Sequence, residues 1–163
     1  MECYVCPSVS GERRISPGAT IHDGRYWMVE HAYPTAHPVW LVIVLKRHAE
    51  ALHELSTDEL AELGALQART VRALAAELGS QKEYIACFSE GEHFQHLHVH
   101  VVARPADLPA ARSGRVQPAR RGTRPSAAAG ARARALRRVD RALLCRGGAR
   151  LASVTPHEAA CAG

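Results

Sequence analysis

Apolar positions along the chain follow two periods. Val39-Trp40-Leu41-Val42-Ile43-Val44-Leu45 is a continuous apolar run, rich in β-branched residues and closed by Lys46-Arg47-His48. Such a run predicts a central strand buried on both faces. Ile15 to His22 and Arg25 to His31 predict two strands across a turn at Asp23-Gly24, and Glu83 to Ser89 predicts another. Between them Leu60, Leu63, Leu66, Val71, Leu74 and Leu78 recur mostly at three- and four-residue intervals. Glu59, Glu62, Arg69, Arg72 and Glu77 fall mostly on the solvated side of that helix. Ser56 and Glu59 form a capping box at its start, Leu55 stands as a staple partner for Leu60, and Gly79 closes it. Ala49 to Leu55 predicts a short helix before it. The expected fold class is α+β: an antiparallel sheet of about five strands with one long and one short helix.

The last strand carries chemistry. His96-Leu97-His98-Val99-His100-Val101-Val102 alternates imidazole and aliphatic residues and ends before Arg104-Pro105. Side chains alternate across an extended strand, so the three histidines line one face and Leu97, Val99 and Val101 the other. Imidazole is costly to bury unless hydrogen-bonded or coordinated, which makes a chance row of three less plausible than a functional one. Cys3 and Cys6 form a C-x-x-C pair, a spacing that lets one turn aim two thiols at a single ion. A redox role normally has such a pair after a strand, and no strand precedes this one. Five cysteines, an odd number, fit a reducing compartment better than a disulfide framework.

Charge divides the chain. Residues 1–103 hold 8 Lys and Arg against 13 Asp and Glu, whereas residues 104–163 hold 13 Arg and three acids, so the overall +5 combines −5 with +10. Every aromatic residue lies before residue 95, so the core must come from the front. Residues 109–163, rich in Arg, Ala and Gly, are expected to form a disordered tail, with a basic helix conceivable at 132–144. A tail read from a shifted frame, an inert linker and a nucleic-acid-binding arm all fit that composition, the first two better than the third. No basic segment followed by an apolar run opens the chain, and Val39–Leu45 is too short to span a bilayer. A cytoplasmic protein without a membrane partner is therefore expected.

Taken together, the C-x-x-C pair, the apolar strand ending Lys46-Arg47-His48 and the alternating histidine strand make residues 1–108 resemble the histidine triad family, in its zinc-binding C-x-x-C form. The resemblance implies a homodimer that hydrolyses or transfers nucleotides at the α-phosphate of dinucleoside polyphosphates or nucleoside phosphoramidates. It implies a catalytic set of His98 as nucleophile, His100 as donor to the phosphate oxygens, and His96, the first histidine of the triad. It further implies a structural zinc on Cys3, Cys6, His48 and His96. Ser89 stands where a phosphate-contacting asparagine is usual, His93 lies near the phosphate loop, and Trp40 replaces a histidine at the head of the central strand. Trp40 is expected to pack in the core or stack on a base. Glu90 and Glu92 would repel a polyphosphate unless turned outward or neutralised by His93. They motivate the alternative, a nucleotide-binding or adaptor module with little chemistry.

Overall fold

A computed structural model of the chain describes residues 2–32 and 40–104, together with the helical positions Arg138 and Arg141. In chain order the elements are α1 (Val5–Val9), β1 (His22–Asp23), β2 (Trp27–His31), β3 (Trp40–Leu45), α2 (Thr57–Leu78), β4 (Lys82–Ala86) and β5 (His98–Arg104). A single 3-10 turn, Leu52–Glu54, stands between β3 and α2. The five strands form one sheet in the order β1-β2-β3-β5-β4, every pair antiparallel.

The central strand separates two different faces. Leu41, Ile43 and Leu45 are fully buried and pair across the sheet with His31, Val29 and Trp27 of β2. On the other side Leu41 and Ile43 pair with Val101 and Val99 of β5. These residues pack with Leu63, Leu66, Ala73 and Leu74 of α2 into the main core, each large side chain contributing about 1.5–3 kcal/mol through burial. Because β-strand side chains alternate, the opposite face collects Met28 and Glu30, then Trp40, Val42 and Val44, then His98 and His100. There α1 covers the sheet, and Val5, Met28, Ala32, Val42 and Val44 form a second apolar cluster flanked by Cys3, Val9, Ile15, Trp40 and Phe94. α2 and the face that carries His98 and His100 thus lie on opposite sides of one sheet.

The α2 caps follow expectation. Ser56 Oγ accepts from Glu59 N, the Glu59 carboxylate accepts from Ser56 N at 2.7 Å, and Gly79 takes the left-handed conformation at φ +59°. The buried stripe differs by one residue at the start. Glu59, expected on the solvated side, is buried, and Leu60 is 47% exposed. The cause is Arg47, which clamps the Glu59 carboxylate with Nε at 2.7 Å and Nη2 at 3.0 Å. A paired carboxylate can then occupy a buried position at the helix start.

Four other boundaries shift, each for a local reason. Ile15 to Thr20 is a loop, its backbone held by side chains: Ser8 Oγ accepts from Ile15 N at 3.1 Å and Arg14 Nε donates to Gly18 O at 2.6 Å. The first hairpin reverses over residues 24–27, where the Glu62 carboxylate accepts from Tyr26 N and Trp27 N at 3.1 to 3.2 Å. A Cβ at position 24 would collide with that carboxylate, which accounts for Gly24. The short helix contracts to the 3-10 turn, closed by Glu54 Oε1 on Glu50 N and Ala51 N. β4 stops at Ala86, and beyond it Ser89 adopts φ +52°, outside the extended region a strand needs. The proline loop at 34–38 and the expected tail, apart from Arg138 and Arg141, lie outside the described residues.

Candidate active site and metal centre

α1 brings the two thiols together. Cys3 precedes the helix and Cys6 lies within it, with Pro7 tolerated in a first turn that lacks intrahelical donors. Their sulfurs meet His48, just past the end of β3, and His96, just before β5; the four donor atoms all lie within 4.8 Å of one another. Cys3 Sγ is 3.7 Å from His96 Nδ1, Cys6 Sγ is 3.5 Å from the same atom, and Cys6 Sγ is 3.4 Å from His48 Nδ1. A tetrahedral zinc bound at about 2.3 Å to sulfur and about 2.05 Å to nitrogen requires S···N edges of about 3.6 Å. The donor set and its spacing fit that ion. Burial, reinforced by the adjacent Cys3 thiol, pushes Cys6 up to about 11, so without a cation the Cys6 thiol stays protonated.

The histidines do not share one environment. His96, expected in line with the other two, lies before the ladder begins: Leu97 N donates to Ala49 O and Leu97 O accepts from Leu45 N. His96 is completely buried, and desolvation lowers its pKa, opposed by its bond to Leu45. Its Nε2 is 2.7 Å from Leu45 O. A carbonyl oxygen only accepts, so Nε2 carries the hydrogen and Nδ1 presents its lone pair to the thiols.

His98 has the other tautomer. Its Nδ1 is 2.7 Å from His96 O, again a pure acceptor, so Nδ1 carries the hydrogen and Nε2 the lone pair. Ser89, buried at its positive φ, accepts from His98 N at 3.2 Å. His100 reverts to the first form. Trp40 Nε1–H can only donate, and it reaches His100 Nδ1 at 2.9 Å, so the His100 hydrogen is on Nε2. Desolvation, with a smaller contribution from His98, pulls His100 down to about 4. His98 and His100 meet edge to face, ring centres 4.8 Å apart.

Both residues line a cleft between α1 and the sheet, together with Val42, Val44, Phe94, Ser16 and Glu30. Glu30 is buried and accepts from Arg14 Nη2 at 2.9 Å and from Thr20 Oγ1 at 3.0 Å. Sequence reasoning passed over Glu30, Ser16 and Phe94. An acid between Val29 and His31 was the available signal for Glu30, and Ser16 offered none. The structure brings His98, His100, Ser89 and Trp40 together. His93 instead joins the N-terminal segment, stacked on Tyr4 at 4.4 Å with Nδ1 3.0 Å from Glu2 O, and is not among the residues lining this cleft. Glu90 and Glu92 are exposed, and Glu92 Oε1 lies 3.7 Å from His93 Nε2. Trp40 packs its flank on the second apolar cluster while its indole nitrogen serves His100.

Residues 3–114 match the family model described as scavenger mRNA decapping enzyme C-term binding. The chain belongs to this histidine triad family. Among solved structures, a zinc-bound histidine triad family protein from Mycobacterium smegmatis superposes with a TM-score of 0.61 at 22% identity, over 88% of this chain and 94% of that one. A hypothetical histidine triad nucleotide-binding protein from Sulfolobus tokodaii gives 0.63 at 16% identity, over 88% and 93%. A histidine triad protein from Bradyrhizobium japonicum gives 0.54 at 24% identity, over 78% and 89%. At these identities the superpositions show a shared histidine triad fold. A search of curated proteins finds no match to the sequence. Among the described residues no helix is long and apolar enough to cross a membrane.

Proposed function

We propose that this chain is a nucleotide hydrolase or nucleotidyl transferase acting at the α-phosphate of dinucleoside polyphosphates or nucleoside phosphoramidates, through a nucleotidyl-histidine intermediate on His98. The observation that carries the reading is the hydrogen bond from His98 Nδ1 to His96 O, which leaves the Nε2 lone pair as the free nitrogen of a cleft-lining imidazole. In the first step that lone pair bonds to the α-phosphorus as the bond to the leaving oxygen or nitrogen breaks. In the second, water or another acceptor attacks the same phosphorus and the P–N bond breaks, returning the imidazole. Across both steps water supplies the hydroxyl to phosphorus and a proton to the leaving group. His100, neutral with its hydrogen on Nε2, donates to a phosphoryl oxygen as charge develops. Ser89 serves this chemistry by anchoring the His98 backbone.

The same reading assigns a structural zinc to Cys3, Cys6, His48 and His96, a closed four-ligand set that stabilises the fold and leaves no position for water. His96 contributes its Nδ1 to that centre and its carbonyl to His98.

Incubation of the full chain with an adenosine phosphoramidate and with a diadenosine polyphosphate tests the proposal. Turnover by the wild type, with a covalent nucleotidyl adduct on His98 in intact-mass spectra after acid-free quenching, is the expected result. Turnover of either substrate by His98→Ala at the wild-type rate would refute the nucleophile. Glu90 and Glu92, which motivated a non-catalytic binding module, are exposed, so the catalytic reading is preferred. Calorimetric nucleotide binding without any turnover would restore the binding module.

A further inference from the structure

We propose that Trp40 is a positioning residue that fixes the tautomer of His100, holding that imidazole as an Nε2–H donor towards the cleft. The inference rests on the role given to His100 above, and its physical half can be tested without any substrate.

The geometry is specific. Trp40 opens β3 and pairs with Val102, while His100 pairs with Val42, so the two occupy diagonal positions on the same face of adjacent strands. Long aromatic side chains span that diagonal. The rings meet edge to face at 74° with centres 5.4 Å apart, and the indole Nε1 lies 2.9 Å from His100 Nδ1. Indole is a donor without an acceptor, so the contact is a hydrogen bond only while Nδ1 is bare. A free neutral imidazole exchanges its hydrogen between two nitrogens. With Nδ1 occupied as an acceptor, the hydrogen is confined to Nε2, and protonation of the ring would require this bond to break.

The alternative function of Trp40, bulk in the apolar cluster, is satisfied by the ring alone and does not require its nitrogen to face an imidazole. The histidine strand fixes two of its three tautomers with backbone carbonyls, at His96 and His98. His100 receives a side-chain donor instead, so the same nitrogen, Nδ1, accepts a hydrogen bond there where at His98 it donates one. The outcome is a pair of adjacent rings with complementary Nε2 atoms, a lone pair on His98 and a hydrogen on His100. A nucleophile and a donor for the developing negative charge need that pairing.

The test is nuclear magnetic resonance of the full chain labelled with ¹⁵N. In the wild type, His100 should show a single Nε2–H tautomer, and a scalar coupling should pass through the hydrogen bond from Trp40 Nε1–H to His100 Nδ1. Absence of that coupling would overturn the proposal with no variant needed. Trp40→Phe keeps an aromatic ring and removes the donor; the two His100 nitrogen signals should then move towards each other as the tautomers mix. An unchanged Nε2–H signal in that variant would also overturn it. In kinetics Trp40→Phe should lower kcat about tenfold and leave KM within about twofold, the split expected of lost transition-state stabilisation. Mixed tautomers with an unchanged kcat would show that Trp40 does not position His100 for chemistry. Trp40→His, which restores a donor, should recover kcat in part. If the wild type turns over no nucleotide, the proposed function fails while the coupling and tautomer results still decide the role of Trp40.

Discussion

The carbonyl oxygen of His96 accepts the Nδ1 hydrogen of His98 at 2.7 Å, so the residue that faces the thiols through its ring orients the neighbouring imidazole through its backbone. The candidate metal ligand His96 and the proposed nucleophile His98 are therefore two residues apart in sequence and one hydrogen bond apart in space.

That link predicts that loss of a thiol is felt in both stability and chemistry. Cys6→Ser should drop bound zinc well below the one equivalent expected of the wild type by elemental analysis. It should also lower Tm by about 10 °C or more. A zinc-free wild-type preparation with an unchanged melting curve would remove the structural role.

Ser89 is buried at φ +52°, a conformation costly for a side chain other than glycine, and its hydroxyl accepts from His98 N at 3.2 Å. Ser89→Ala leaves that amide without its acceptor and should cost about 1–3 kcal/mol in denaturant unfolding. The same variant should lower kcat, since the strand position of the nucleophile is no longer tied to the preceding loop. Wild-type stability and rate would place the anchor elsewhere.

His100 makes a pH prediction. Its pKa is held near 4 in the fold, below the ordinary value of 6.5, by burial and then by His98. The unfolded chain therefore takes up this proton first, and folding stability is full above about pH 6.5 and lost as pH falls towards 4. The loss should reach about 3 kcal/mol, read from denaturant melts across that range. His98 and Tyr84 lie on the same sheet face, as does Glu30 with its Arg14 partner, so the comparison that isolates the effect is His100→Gln, whose stability should fall less steeply. Equal slopes in the two proteins would assign the loss to those neighbours.

Arg47 joins the loop that carries His48 to the start of α2, by two bonds to the Glu59 carboxylate and one to Glu54 O at 2.8 Å. With Arg47 as first cause and Ser56 N as second, Glu59 is held down to about 2. Its contribution is thus complete above the usual carboxylate pKa and disappears as pH falls to about 2. Arg47→Ala and Glu59→Gln should each lower the denaturant midpoint, and the double variant should cost less than the sum of the two. Strict additivity would mean that the pair is not coupled.

Period and punctuation determined much of this protein. The apolar run at 40–45 reads as a doubly buried strand because both of its faces are covered, and the Ser56-Glu59 box and Gly79 bound α2 because caps are local chemistry. The set Cys3, Cys6, His48 and His96 was legible from residue type and family resemblance together. The sequence could not say that the three histidines differ. Alternation put them on one face as equals, but a tautomer is decided by whatever atom meets the ring. Those atoms are Leu45 O for His96, a neighbouring backbone carbonyl for His98 and the indole of Trp40, 60 positions away, for His100. Glu59 was likewise invisible as a buried acid until Arg47 reached it across 12 positions. Local pattern fixes which side chains share a face; only tertiary contacts decide where their protons sit.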